Sequence, residues 1–308
     1  MEKIKKGDIV GRISYGQDII FEVKRIIKSL NGEKIAILKG VTERIEVDSK
    51  IEDLIKVGKD KLKNEIKKID TRLEKRIIKN QQMIEKTYKN INREGQKYKT
   101  GKILHLDGDR KYSQKSLKYY QGLGLNAVVK NVAENRQSKV VYNLLLYYKP
   151  DILVITGHDG MIKKDTGYND LYNYRNSRHF IETVKQARRY EKDTGRSLVI
   201  FAGACQSYFE AIMMAGANFA SSPARILIDI LDPLIVAEKV AITDDIKYIT
   251  IEDIEGELRD GRRGVGGIGA RRKKKENLTL EKRTWKMGRF RKMENGTVLI
   301  SKFFILFK

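Results

Sequence analysis

Two nearly unbroken apolar runs constrain this chain more than anything else in it. They are Asp151-Ile152-Leu153-Val154-Ile155-Thr156-Gly157-His158-Asp159-Gly160 and Ser197-Leu198-Val199-Ile200-Phe201-Ala202-Gly203-Ala204-Cys205-Gln206-Ser207. Each reads as a buried strand, the kind found in a parallel sheet covered on both faces. Each ends on small residues and then on a side chain with chemistry: His158 in the first, and in the second Cys205, the only cysteine of the 308-residue chain. Neighbouring parallel strands set these tips side by side. In such sheets ligands bind beyond the carboxyl ends of the strands.

The flanking pattern supports an α/β domain over 101–260. Strands at Gly101–Leu106, Asn126–Val132 and Ala217–Ser221 alternate with helices at Ser113–Gln121, Glu134–Tyr148, Ser177–Lys192, Phe209–Ala215 and Pro233–Ala241. That alternation predicts a mainly parallel sheet flanked by helices. Residues 1–57 differ: short apolar segments broken at Gly16, Asn31-Gly32 and Gly40 predict a small β-barrel-like domain for docking or binding, with Asn31-Gly32 as a hairpin turn. Residues 58–100 place Leu62, Ile66, Ile69, Leu73, Ile77 and Ile84 at helical spacing in a Lys- and Glu-rich background, a charged helical linker. The stretch 261–308 carries fifteen Lys or Arg against three Glu and opens on Gly264, Gly266, Gly267 and Gly269, which predicts a flexible, poorly ordered basic tail.

Composition narrows the function classes. The net charge of +23 favours polyanionic or acidic partners, so nucleic acid enters as a partner, although a solvated lysine-rich surface accounts for the same excess. One cysteine excludes an internal disulfide. The opening Met-Glu-Lys-Ile-Lys-Lys-Gly-Asp lacks a signal-peptide core, and no apolar run reaches the ~18 residues of a membrane helix, so a cytoplasmic protein without membrane contact is expected. No cofactor is expected. Asp107 and Asp109 with His158 could hold a cation, but no zinc-type spacing supports one; Gly264 to Gly269 follows no strand, so it lacks the context of a dinucleotide fingerprint.

Cys205 and His158 admit two readings, a nucleophile with its acid-base partner or two ordinary core residues. As a nucleophile Cys205 needs its thiolate stabilised, for which the field of a following helix is available. It also needs donors for the oxyanion formed on attack. The backbone N–H groups of Cys205, Asp159 and Gly160 are the candidates. His105, pointing from a strand, and His179, inside a helix, read as structural. A cysteine amidase or amidotransferase shares the strand-then-cysteine pattern, and a non-enzymatic nucleic-acid-binding protein would use the β-module and the basic segments instead.

The two runs resemble the motifs of the caspase, gingipain, clostripain and separase superfamily, in which apolar strands end on the catalytic histidine and cysteine. More closely, the chain resembles the YabG family of sporulation-specific cysteine proteases. The resemblance rests on Gly-Asp-Ile-Val near residue 7, Leu-His-Leu-Asp-Gly-Asp at 104–109, Pro-Asp-Ile-Leu-Val-Ile-Thr-Gly-His-Asp at 150–159, Asn-Ser-Arg-His-Phe-Ile-Glu-Thr-Val at 176–184, Phe-Ala-Gly-Ala-Cys-Gln-Ser at 201–207, Gly-Ala-Asn-Phe-Ala-Ser-Ser-Pro at 216–223 and Leu-Asp-Pro at 231–233. It implies a caspase-like fold and a cysteine endopeptidase that cuts spore coat and cortex proteins after arginine, with Cys205 as nucleophile and His158 as its partner. It places the protein in the mother cell or the developing spore coat.

Cleavage after arginine calls for a carboxylate in the specificity pocket. Asp229 and Asp232 are candidates, with Asp165 and Asp170 as rivals. Self-cleavage at surface arginines such as Arg188-Arg189 and Arg262-Arg263 is a further expectation. Two departures stand out. Asp159 follows the histidine where the superfamily usually has glycine, and the resemblance stops beyond Gly269.

Overall fold

Apolar alternation over the first 56 residues gives five strands: β1 (Ile9–Arg12), β2 (Phe21–Lys28), β3 (Lys34–Gly40), β4 (Glu46–Lys50) and β5 (Leu54–Lys56). They form one antiparallel sheet in the order β4-β3-β2-β1-β5. Val10, Phe21, Val23, Ala36 and Leu38 fill its inner face. Asn31 and Gly32 sit in the turn between β2 and β3, where Gly32 takes φ +77° and donates its N–H to Ser29. The short β5 escaped the sequence reading because three residues carry no periodicity. The computed structural model describes residues 3–29, 31–93, 100–162, 167–244 and 247–272.

Helix α1 (Lys59–Arg93) follows. Its stripe is more than a linker surface: Ile69, Leu73, Ile77 and Ile84 are buried. Leu73, Ile77 and Ile84 join the core cluster formed with Tyr119, Leu234 and Val240. Polar contacts add to this seat, since Arg72 pairs with Asp229 at 2.5 Å and Asn80 donates to Glu238 at 2.7 Å.

The remaining elements are β6 (Ile103–Asp107), α2 (Arg110–Gly122), β7 (Ala127–Asn131), α3 (Glu134–Tyr148), β8 (Ile152–Thr156), α4 (Ser177–Thr194), β9 (Val199–Ala202), α5 (Phe209–Met214), β10 (Phe219–Ser221), α6 (Leu231–Ile242) and β11 (Val265–Gly267). Six strands build the second sheet in the order β11-β10-β9-β8-β6-β7, parallel except for β11. The α/β class and mainly parallel sheet expected from the sequence are thus present. Every residue of β8 and β9 is buried, because helices cover both faces. Leu153, Ile155 and Ile200 meet Val141, Leu145, Phe180 and Val184 of α3 and α4. Val154 and Phe201 meet Tyr120, Leu234 and Val236 of α2 and α6 on the other face. Among the described residues no helix is long and apolar enough to cross a membrane.

Gly264 to Gly269 form no flexible start to a tail. Val265–Gly267 pair antiparallel with β10, and a Cβ on Gly266 would lie 2.7 Å from the Phe209 ring. The glycines let an edge strand pack against an aromatic ring and a neighbouring backbone. The basic stretch from 273 onward lies outside the described residues.

Candidate active site

From β6 the chain moves to β7 on one side and to β8 on the other, so the sheet has its switch point between β6 and β8. β6 ends there on Asp107, and β8 runs into His158. The last paired residues of β8 and β9 are Ile155 and Ala202. His158 and Cys205 each lie three positions beyond, at neighbouring tips, and both are fully buried.

No helix begins at Cys205. The chain turns sharply through Gly203 at φ +116° and Gln206 at φ +55°, and α5 starts only at Phe209. The helix field expected to favour a thiolate is therefore not applied at the sulfur. Cys205 Sγ instead accepts the N–H of Ile228 at 3.3 Å. Burial, followed by the Glu43 carboxylate, pushes the thiol up to about 12.

His158 is held on three sides. Its Nε2–H donates to the Gly40 carbonyl at 3.0 Å, and its backbone N–H donates to Glu134 Oε1 at 2.8 Å. The Tyr112 ring stands edge-on at 5.5 Å. With Nε2 as the donor, Nδ1 is the nitrogen with the free lone pair, and among the described residues it has no hydrogen-bond partner. Burial, with Lys39 next, lowers the imidazole to about 4, so it is neutral. Glu134 fills the space that side chains on Gly108 and Gly157 would take, which explains the glycine before His158.

Of the three expected oxyanion donors, two converge. The N–H groups of Cys205 and Asp159 both point to the carbonyl oxygen of Arg44, at 3.3 and 3.2 Å. The third, on Gly160, is bonded to Asp159 Oδ1 at 2.9 Å and does not join them. The Asp159 carboxylate is a tie between loops. It accepts from Ser207 Oγ at 2.9 Å, Ser177 Oγ at 2.5 Å and the Asn176 N–H at 2.7 Å, so the His158 loop, the Cys205 loop and the start of α4 share one anchor. Burial raises this carboxyl to about 6 against those three hydrogen bonds and the one from the Gly160 N–H.

The proposed specificity carboxylates lie elsewhere or are already engaged. Asp229 holds Arg72, and Asp232 accepts the N–H groups of Asp229 at 2.8 Å and Arg259 at 3.1 Å. Asp170 caps a single 3₁₀ turn through the Tyr172 N–H at 2.9 Å. Asp165 falls outside the described residues. Asp109 caps α2 and pairs with Lys39 at 2.6 Å; His158 and Lys39 outweigh its burial and hold it down to about 2. His105 is buried between Tyr120 OH, 3.2 Å from Nδ1, and Thr156 Oγ1, 2.7 Å from Nε2. His179 is half-buried in α4. Sequence reasoning missed Glu134 and the segment 40–46. Glu134 had a signal in its place in the first turn of α3, whereas nothing in the sequence links residue 44 to residues 159 and 205.

Comparison with known proteins places the chain in a family. The family model described as YabG peptidase U57 matches residues 5–279. The Sporulation-specific protease YabG of Bacillus subtilis (strain 168) is 38% identical over 274 residues, covering 86% of this chain and 94% of that one. Among solved structures, the receiver domain of the histidine kinase CKI1 from Arabidopsis thaliana matches 38% of this chain and 79% of its own at 15% identity and a TM-score of 0.25, a likeness that carries no weight here. On the family model and the identity with its curated relative, the chain belongs to the YabG peptidase U57 family, a family of sporulation proteases.

Proposed function

We propose that the protein is a cysteine endopeptidase that cuts after arginine, with Cys205 as nucleophile and His158 as its acid-base partner. Its proposed substrates are spore coat and cortex proteins of the sporulating cell, met in the mother cell or the forming coat. One observation carries the reading. Beside the thiol, the N–H groups of Cys205 and Asp159 converge on a single carbonyl oxygen, the two-donor arrangement of an oxyanion site.

In this mechanism His158 Nδ1 takes the Cys205 proton and the thiolate attacks the scissile carbonyl carbon. The resulting oxyanion lies between the two N–H groups. The imidazolium then protonates the departing amine, and water, deprotonated by the same nitrogen, releases the acyl group from sulfur. The Gly40 carbonyl fixes the ring so that Nδ1 is the working nitrogen. Asp159 acts as a positioning residue through Ser207, whose Oγ also accepts the Ala204 N–H at 2.9 Å. Both groups are buried and neutral, the thiol near 12 and the imidazole near 4, so the sealed site is a resting state.

The test incubates a protein substrate containing Arg and Lys sites with the parent and with Cys205→Ala and His158→Ala, and sequences the fragments. The parent is expected to leave new carboxyl ends on arginine and both variants to leave none. Cutting by Cys205→Ala at the parental rate would end the proposal.

A further inference from the structure

The carbonyl in the oxyanion site belongs to the protein itself. Arg44 lies in the connection between β3 and β4, and its side chain runs into the α/β domain, fully buried. Its Nη1 donates to Asp107 Oδ2 at 2.6 Å, and its guanidinium carbon lies 4.3 Å from the centroid of the Tyr112 ring. Asp107, equally buried, also accepts from Thr156 Oγ1 at 2.9 Å and from the Asp109 N–H at 2.8 Å. These bonds hold the carboxylate in place, and with Arg44 they keep it ionised in spite of its burial. Downstream, Ile45 pairs parallel with Asp159, and the Glu46 N–H donates to the Asp159 carbonyl at 2.8 Å.

A peptide bound for cleavage after arginine would make the same set of contacts. Its guanidinium would sit on a fixed carboxylate and an aromatic face, its carbonyl between two N–H donors beside the thiol, and its next residues against the backbone after the histidine. We infer that Asp107, with Tyr112, forms the pocket that reads the arginine before the cut, and that Arg44 is its built-in occupant, so that the β3–β4 connection inhibits the site as a substrate-like plug. The pocket rests on this geometry; its kinetic consequence rests on the cysteine-protease reading above.

The occupant is held loosely for a buried charge. Arg44 Nε and Nη2 have no hydrogen-bond partner among the described residues, leaving one ion pair and one ring contact where a permanent core arginine would be fully bonded. Among the described residues, Asp107 is the buried acidic side chain at the sheet's switch point that faces an arginine side chain. The rival candidates Asp229 and Asp232 answer to α1 and to backbone N–H groups.

Two measurements separate this inference from the catalytic proposal. In the Cys205→Ala background, Arg44→Ala opens a guanidinium-sized space over Asp107, and propylguanidine is the probe. At ten times its Kd the probe is expected to raise the Tm of Arg44→Ala by on the order of 4 °C, saturably. Neither the Arg44 parent nor the variant that also carries Asp107→Asn should respond. In the Cys205 enzyme, Arg44→Ala is expected to lower KM for an arginyl peptide amide, because the competing occupant is gone. Adding Asp107→Asn should then cut the preference for arginyl over norleucyl substrates on the order of 100-fold. Should Arg44→Ala not fold, Arg44→Lys keeps the charge without the planar fork and should lower KM in the same direction. A folded variant with unchanged KM, no response to propylguanidine, or arginine preference retained in Asp107→Asn overturns the inference. If the probe binds as expected while no variant cuts any peptide, the pocket stands and the protease reading fails.

Discussion

Replacing Asp159 by alanine should both destabilise the protein and disable the site. Four donors converge on this carboxylate: Ser177 Oγ, Ser207 Oγ and the N–H groups of Asn176 and Gly160. Hydrogen bonds to a charged group contribute roughly 1.5–3 kcal/mol each, which summed without correction gives about 6–12 kcal/mol. Burying the charge opposes that. The rise of this carboxyl from 3.8 to about 6, with those bonds in place, shows that burial outweighs what they contribute to the charged form. Breaking one side of a buried ionic network costs about 3–5 kcal/mol, and that is the loss expected of Asp159→Ala. It follows from guanidinium chloride unfolding at pH 7. Activity should fall on the order of 100-fold beyond any unfolded fraction, because the loops carrying His158 and Cys205 lose their shared anchor and a shift of about 1 Å has that effect. The pH dependence supplies an internal check. Between 3.8 and about 6 the folded protein keeps a proton that the unfolded chain has released, so this group's contribution is largest below 3.8 and declines as pH rises through 6. Asp159→Asn should lack that decline. A loss below about 1 kcal/mol in Asp159→Ala with activity within twofold of the parent would refute the anchoring role.

Three further outcomes follow from the same structure. Iodoacetamide should alkylate Cys205 about 1000-fold more slowly at pH 7.5 than it alkylates a free cysteine peptide, since a thiol near 12 in place of 9.0 is that much less ionised; intact mass over time measures it, and a rate within tenfold of the peptide would contradict the sealed site. Leu73→Ala should cost about 2–5 kcal/mol in denaturant unfolding, because Leu73 is fully buried between α1 and the α/β core; a loss under about 1 kcal/mol would make α1 a peripheral linker after all. Gly266→Ala should lower Tm through a cost of about 1–3 kcal/mol, as its Cβ meets the Phe209 ring, and the double variant with Phe209→Leu should recover part of that loss.

The fold was legible where a single period or a single cap decides an element. Helix α3 occupies Glu134–Tyr148 as expected, and α4 starts at Ser177 and closes on Gly195 in the left-handed region. The strands ending near His158 and Cys205 were visible because both faces of each are buried, which leaves an unbroken apolar run. Other elements are decided by neighbours distant in sequence. The glycines at 264–269 read as the flexible start of a tail, whereas Phe209 and Phe219 occupy the space that side chains on Gly266 and Gly267 would need. Cys205 looked like the start of a helix because small residues suit a helix end and a tight turn equally, and the backbone bonds of Gln206 to Ile226 and Ser222 select the turn.

The site divides along the same line. That one histidine and one cysteine end apolar strands is written in the chain, because an unbroken apolar run and the residue at its tip are local features. What those groups face depends on contacts between segments far apart in the chain. Asp159 became a tie between three loops, Asp107 became the partner of a guanidinium 63 positions away, and the carbonyl of Arg44 came to rest between two N–H groups. A buried charge must find its partner somewhere in space, and spacing along the chain carries no record of which hairpin will fold over the sheet to supply it.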